Sequence, residues 1–435
     1  MSTNNKNVAF QITIIGLLFF IFGFITWANS SLIPYFKIAC ELGEGARSFY
    51  VASAFFAAYF FMAIPSSYIL KLTGFKNGMA LGLFIMAIGA ALFIPAANAR
   101  SYNLFLLGLF IIGTGLALLQ TASNPYVTIL GPIESAAQRI SIMGICNKFA
   151  GILAVYVLGS ITLKNADEVK AKLATLGEAE KNQMLDNFIL RVKEPYTIIA
   201  AALLLLSIII LVIKMPDVNE EENAPETTAS ANRKSIFQFP YLLLGALAIF
   251  FYVGVEVISY DSFTNFGEFL GYKIDIARNF PTYTGYALLA GYIFNIIAIP
   301  KFISQQKALF YFVILSIILV LLTVFTSGKT AIICFMLLGF SNSVMWPAIW
   351  PLAIEGLGKF TKIGSALLIM GIVGGAILPP FYGYIAGAIG NKQTAYLMMI
   401  PAYLYILYYA LSGYKVGKEI TNNPKELDLT HEIHS

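Results

Sequence analysis

The stretch Phe250–Phe263, FFYVGVEVISYDSF, decides the class of this protein. It lies in an apolar run long enough to cross a bilayer, which takes about 20 residues, yet it carries Glu256 well inside that run and Asp261 five residues on. An ionised carboxylate at membrane depth costs roughly 2.5–3.5 kcal/mol even on the mildest scale, so it persists there only where it faces protein or water. The expectation is a membrane carrier in which Glu256 faces a polar cavity.

Composition agrees. Hydrophobic residues make up 58% of the chain and charged residues 12%, against about 45–50% and about 25% in soluble domains. The net charge of +5 calls for no nucleic-acid partner, because most Lys and Arg fall in short loops between apolar segments. Cys40, Cys146 and Cys334 have neither paired nor metal-ligand spacing. The two histidines, His431 and His434, lie near the C-terminus, which excludes a histidine proton relay. No paired catalytic carboxylates at workable spacing outside loops, no nucleophile–histidine pair and no metal cluster stand in the sequence, so enzyme activity, a metal and a cofactor are not expected.

The polar start Met1–Asn7 leads into an apolar run too long for a signal peptide. Spans are expected near 9–35, 47–70, 77–98, 102–130, 139–162, 195–214, 239–267, 280–300, 307–327, 330–352, 362–388 and 393–414. Two connections are long. The segment 164–194 mixes acidic and basic residues and suits a small amphipathic helix outside the membrane, while 216–234, with Glu220-Glu221-Glu222, suits a flexible linker. The division is therefore an N-terminal bundle 1–215, a linker 216–237, a C-terminal bundle 238–414 and a tail 415–435. The basic residues favour both termini in the cytoplasm. Lys148 falls inside the fifth span, where a lone cation is as costly as the carboxylate.

The two halves resemble each other weakly. Phe19–Gly23 (FFIFG) matches Phe250–Gly254 (FFYVG), a register that pairs Ser30 with Asp261. Aligning Pro125 with Pro347 sets Gln120 opposite Asn342, and Phe149–Leu153 matches Gly374–Leu378. Parallel repeats place a substrate site at their interface near the midplane. Gln120 and Asn124 share a helix face, and Asn342, Trp346 and Trp350 form an i, i+4, i+8 stripe. Amides beside indoles suit a sugar, whose hydroxyls need donors and acceptors while its C–H face stacks on a ring. Asn29 and Asn147 join these substrate-binding candidates. The competing role for such residues is structural, since amides fasten neighbouring helices and tryptophans collect at membrane interfaces.

The segments FFIFGFITWANSSLIPYF (Phe19–Phe36), QTASNPYVTILG (Gln120–Gly131), YVGVEV (Tyr252–Val257) and GIVGGAILP (Gly371–Pro379) resemble the fucose/glucose–galactose:proton symporter family of the major facilitator superfamily, over essentially the whole chain. The likeness is strongest to its bacterial glucose/galactose branch. It implies an all-α membrane protein of twelve transmembrane helices in two pseudo-symmetric six-helix bundles, a central hexose site and alternating access driven by protons. The characterised fucose symporters carry Asp at the position of Ser30 and Glu at that of Gln120, and neither replacement titrates. Glu256 matches the glucose/galactose branch, and Lys148 stands where many relatives have Ser. Of the superfamily's pattern between spans 2 and 3 the chain keeps Lys71, Gly74 and Lys76.

Ion coupling is accordingly expected at Glu256, with Lys148 as counter-ion and Asp261 as an accessory carboxylate. Alternate pairing and unpairing with Lys148 would make the proton affinity of Glu256 depend on conformation. The expected partners are a hexose (glucose or galactose first, fucose or mannose next), a proton or sodium, and the lipid of the bacterial cytoplasmic membrane, with the chain a monomer. A sodium symporter, a uniporter and a sugar receptor on a carrier fold are the alternatives, the last disfavoured by the short tail Lys415–Ser435.

Overall fold

The structure, a computed structural model, describes the backbone of residues 2–43, 45–129, 136–213, 233, 235–299 and 301–418, and side chains within these from residue 13 on, except 124–141, 359, 361 and 362. Most of the linker expected at 216–237 and the histidines of the tail lie outside the described residues.

Among the described residues all regular structure is helical. Span 1 is Ser2–Trp27 continued by Asn29–Ala39. Spans 2 and 3 share one hydrogen-bonded run, Tyr50–Ala91, that breaks at Gly74 and is extended by Phe93–Asn98. Spans 4, 5 and 6 are Tyr102–Ile129, Ala136–Thr162 and Lys193–Val212. Span 7 is Pro240–Asp261 with Phe263–Phe269, span 8 is Phe280–Ala298 and span 9 is Gln305–Phe325. Span 10 is Gly328–Asn342 with Met345–Ile354, span 11 is Thr361–Met370 with Gly374–Ile389, and span 12 is Met399–Leu411.

Ten stretches of the described residues are long and apolar enough to cross a bilayer. One of them, Ala46–Asn98, is 53 residues long and holds two crossings because of Gly74. Phe280–Ala298, made more polar by Tyr283, Tyr286, Tyr292 and Asn295, completes twelve. The span positions agree with the sequence pattern, with one difference. Where a loop was expected between spans 2 and 3, helical bonding runs on to Gly74, whose φ of 73° and ψ of 169° belong to a region essentially reserved for glycine. The 164–194 connection holds two short helices, Ala166–Leu173 and Glu178–Ile189.

Prolines inside the spans leave carbonyls without their helical donors. Pro351 cannot serve the carbonyl of Pro347, and Gln305 Nε2 donates there at 3.2 Å and to Ala348 at 2.7 Å. Pro380 cannot serve Ala376, whose carbonyl instead accepts Ser53 Oγ of span 2 at 2.7 Å, a bond between the two bundles. Within each bundle the repeat reuses one device. A Cβ on Gly23 would come within 1.8 Å of the Asn147 carbonyl oxygen of span 5, and one on its counterpart Gly254 within 2.2 Å of Leu378 of span 11.

Gly74→Ala is expected to cost about 1–3 kcal/mol through backbone strain, lowering the thermal midpoint in detergent; an unchanged midpoint would mean that the break does not need glycine.

Candidate functional site

Span 5 brings Lys148 to span 7, where its Nζ lies 3.3 Å from Glu256 Oε1. The side chains are 12% and 7% exposed, so Glu256 points across the interface between bundles and not at lipid. The ammonium also lies 4.9 Å from the Trp27 ring and 5.7 Å from that of Tyr292, and such contacts gain strength away from water. Gly151, one turn beyond Lys148, makes the room: a Cβ there would sit 2.3 Å from Trp27 Cδ1. Trp27 packs in turn on Tyr260, ring centroids 4.1 Å apart.

From this pair a line of aromatics leads to the end where span 10 finishes. Tyr252, one turn before Glu256, lies 6.4 Å from Trp346, which stacks on Trp350 at 5.2 Å. Gln120 Nε2 donates to the Tyr59 hydroxyl at 2.9 Å, and Asn147 Nδ2 to the Phe19 carbonyl at 3.3 Å. Gln120, Asn147, Trp346 and Trp350 are all partly exposed. Asn342 differs from them. It is fully buried, accepts from Tyr403 at 3.0 Å and donates to Ser259 at 3.5 Å. Ser259 donates to the Glu256 carbonyl at 2.7 Å, so Asn342 braces the turn that carries the carboxylate. Asn29 is buried and neither of its amide atoms has a partner. Asn124 lies outside the residues whose side chains are described.

Towards the opposite end, where span 1 finishes, the bundles meet. Ser30 Oγ donates to Asp261 Oδ1 at 2.5 Å. These are the residues that the repeat register pairs, and symmetry mates in contact sit on the pseudo-two-fold axis. Further out, Asp167 accepts the N–H groups of Ile274 and Asp275 at 3.0 Å each, Lys170 pairs with Glu268, and Arg278 donates to the Gly159 carbonyl at 3.4 Å. The hydrogen bonds and ion pairs that join the bundles among the described residues gather from the Lys148–Glu256 level to this end.

The structure thus brings Lys148 and Glu256 into contact, sets the two indoles one turn of span 7 away, and holds Asp261 apart on a different partner. Tyr59, Tyr292, Ser259 and Tyr403 were missed from sequence. Tyr252, Ser259 and Tyr260, at i−4, i+3 and i+4 from Glu256, carried a readable signal; Tyr59, Tyr292 and Tyr403 reach the site by tertiary contact.

Residues 15–374 match the sequence profile of the Major Facilitator Superfamily. A glucose/galactose transporter of Brucella abortus is 38% identical over 418 residues, covering 95% of this chain and 96% of that protein. The L-fucose-proton symporter of Escherichia coli is 32% identical over 403 residues, covering 92% and 91%. The crystal structure of the transporter FucP in its outward conformation superposes with a TM-score of 0.71 at 31% identity, over 93% of this chain and 98% of that one.

Removing one partner of a buried pair strands the other charge, at about 3–5 kcal/mol. Glu256→Gln should therefore lower the thermal midpoint, and adding Lys148→Met should restore most of it. A second loss of equal size on adding Lys148→Met would mean that the charges are not coupled.

Proposed function

Because the chain belongs to the Major Facilitator Superfamily, we propose that it is a hexose:proton symporter of the cytoplasmic membrane, acting as a monomer by alternating access, with glucose and galactose as its first candidate substrates. The relatives' names support the substrate class: glucose/galactose transporters and an L-fucose-proton symporter are similar over more than nine-tenths of the chain. The chemistry of the site supports it as well. Trp346 and Trp350 offer faces for the C–H side of a pyranose, and Gln120, Asn147 and Glu256 offer amide and carboxylate groups for its hydroxyls.

With both termini in the cytoplasm, the end joined by Ser30–Asp261 and Lys170–Glu268 is the outer one, and the bundles meet there. The observation that carries the proposal is the Lys148–Glu256 pair, one charge from each bundle at 3.3 Å. Within the pair each charge offsets the desolvation of the other. A sugar hydroxyl or a proton at Glu256 loosens the bridge, and the cost of leaving Lys148 alone drives the bundles towards another arrangement. Binding and shape are thereby linked, as coupling requires.

Uptake of labelled glucose and galactose into proteoliposomes, with pH and sodium varied independently, tests this. Accumulation should follow an inward proton gradient, collapse with an uncoupler and ignore external sodium. Accumulation that needs sodium, or mere equilibration under every gradient, would replace the proposal by a sodium symporter or a uniporter; absence of any flux would favour a receptor. Trp346→Ala should raise the KM for sugar at least tenfold if the ring is a stacking platform.

A further inference from the structure

At the closed end of span 7, Asp261 and Asn265 stand four residues apart, with the backbone helical through Ser262 (φ −87°, ψ −12°). Residues at that spacing share a face, with Cβ atoms about 5–6 Å apart. Asp261 is 2% exposed and Asn265 4%. Asp261 Oδ2 and Asn265 Oδ1 are both buried without a hydrogen-bond partner. Both are acceptors, and two acceptors cannot satisfy each other. The other Asp261 oxygen takes Ser30 Oγ.

The charged groups on the surrounding elements are engaged elsewhere or exposed. Lys148 is held by Glu256, Lys170 by Glu268, and Arg278 by Asp275 and the Gly159 carbonyl. Lys37 lies two turns past Ser30 on its helix, and Lys329 is exposed at the start of span 10. Of the nearby tyrosines, Tyr260 stacks on Trp27, Tyr292 lies under Lys148, Tyr396 bonds Ser262 and Tyr403 bonds Asn342. Among the described residues no cation forms an ion pair with Asp261. A lone carboxylate so placed must be neutralised by what it binds.

We propose that Asp261 is a second proton-binding site, loaded from outside, and that its proton, donated from Oδ2 to Asn265 Oδ1, is what lets the bundles close over the outer end. One proton satisfies both orphaned oxygens and removes the uncompensated charge. The step makes one O–H bond on Asp261 and breaks one on an external hydronium ion, which leaves as water, while the end is open. Lys148 stands beside Glu256 as a counter-ion, and no cation among the described residues stands beside Asp261. Glu256, five residues and about 7.5 Å back along the span, is the next carboxylate on the same helix. Closure takes up a proton, so the closed population must fall as pH rises.

This inference rests on the proton-symport reading, and the experiment separates the two. Wild type, Asp261→Asn and Asp261→Glu are compared in proteoliposomes for sugar-driven proton uptake and for the pH dependence of sugar counterflow. Asparagine mimics the neutral acid but binds no proton. In D261N, protons taken up per sugar should fall at least tenfold and the remaining counterflow should no longer respond to external pH, whereas D261E should keep both. Wild type lacking sugar-driven proton uptake sinks the symport reading; wild type and D261N taking up protons equally sinks this inference alone. Infrared spectroscopy needs no active variant. The wild type at neutral pH should show the C=O stretch of a buried carboxylic acid that Asn265→Leu shifts and D261N abolishes. Absence of that band, or a site filled by sodium as read by sodium-dependent thermal stabilisation that D261N removes, overturns the proposal.

Discussion

A lysine and a glutamate in contact across the two halves, in a medium where neither could remain alone, constrain everything around them. Taking either ion out of water costs several kcal/mol, and mutual attraction offsets that only with good geometry and further partners. The further partners are present. Trp27 and Tyr292 face the ammonium, Gly151 makes room for the indole, and the Ser259–Asn342–Tyr403 chain of hydrogen bonds holds the backbone that presents Glu256. The packing of six spans is therefore committed to one charge pair, and whatever disturbs the pair is felt by both bundles.

The same constraint explains the asymmetry between the two carboxylates of span 7. Glu256 is compensated by a side chain of the other bundle, and Asp261 meets only the hydroxyl of its symmetry mate. Carboxylates five residues apart on one helix lie about 140° apart around its axis, so they meet different neighbours and can hold different charge states in one conformation. In the proposed cycle that difference sets an order of events: one group binds at the seam while the other stays tied to its counter-ion.

Much of this was legible in the sequence because the membrane makes single residues expensive. The spans follow from hydropathy, and Glu256 and Lys148 stand out as lone charges within apolar runs. The FFIFG/FFYVG match set Ser30 against Asp261 from register alone, and the two touch. What resisted reading depends on the third dimension. Helical bonding runs through Lys71 to the break at Gly74 because backbone geometry there outweighs the polar loop pattern. Asn342, on the same stripe as Trp346 and Trp350, is buried among protein partners, since a stripe does not say which of its members meet a neighbouring helix. Tyr59 and Tyr292 reach the site from spans 2 and 8, whose own sequences hold no hint of it.

We propose that buried charge at the seam, and its neutralisation, sets which end of the carrier is closed. The most direct measurement is the distance across the outer end by electron–electron resonance between spin labels at the exposed positions Ala174 and Lys273, recorded from acid to mildly alkaline pH without sugar. One short distance is expected at acid pH, with a growing longer population as pH rises. A distribution that stays the same across that range would contradict it.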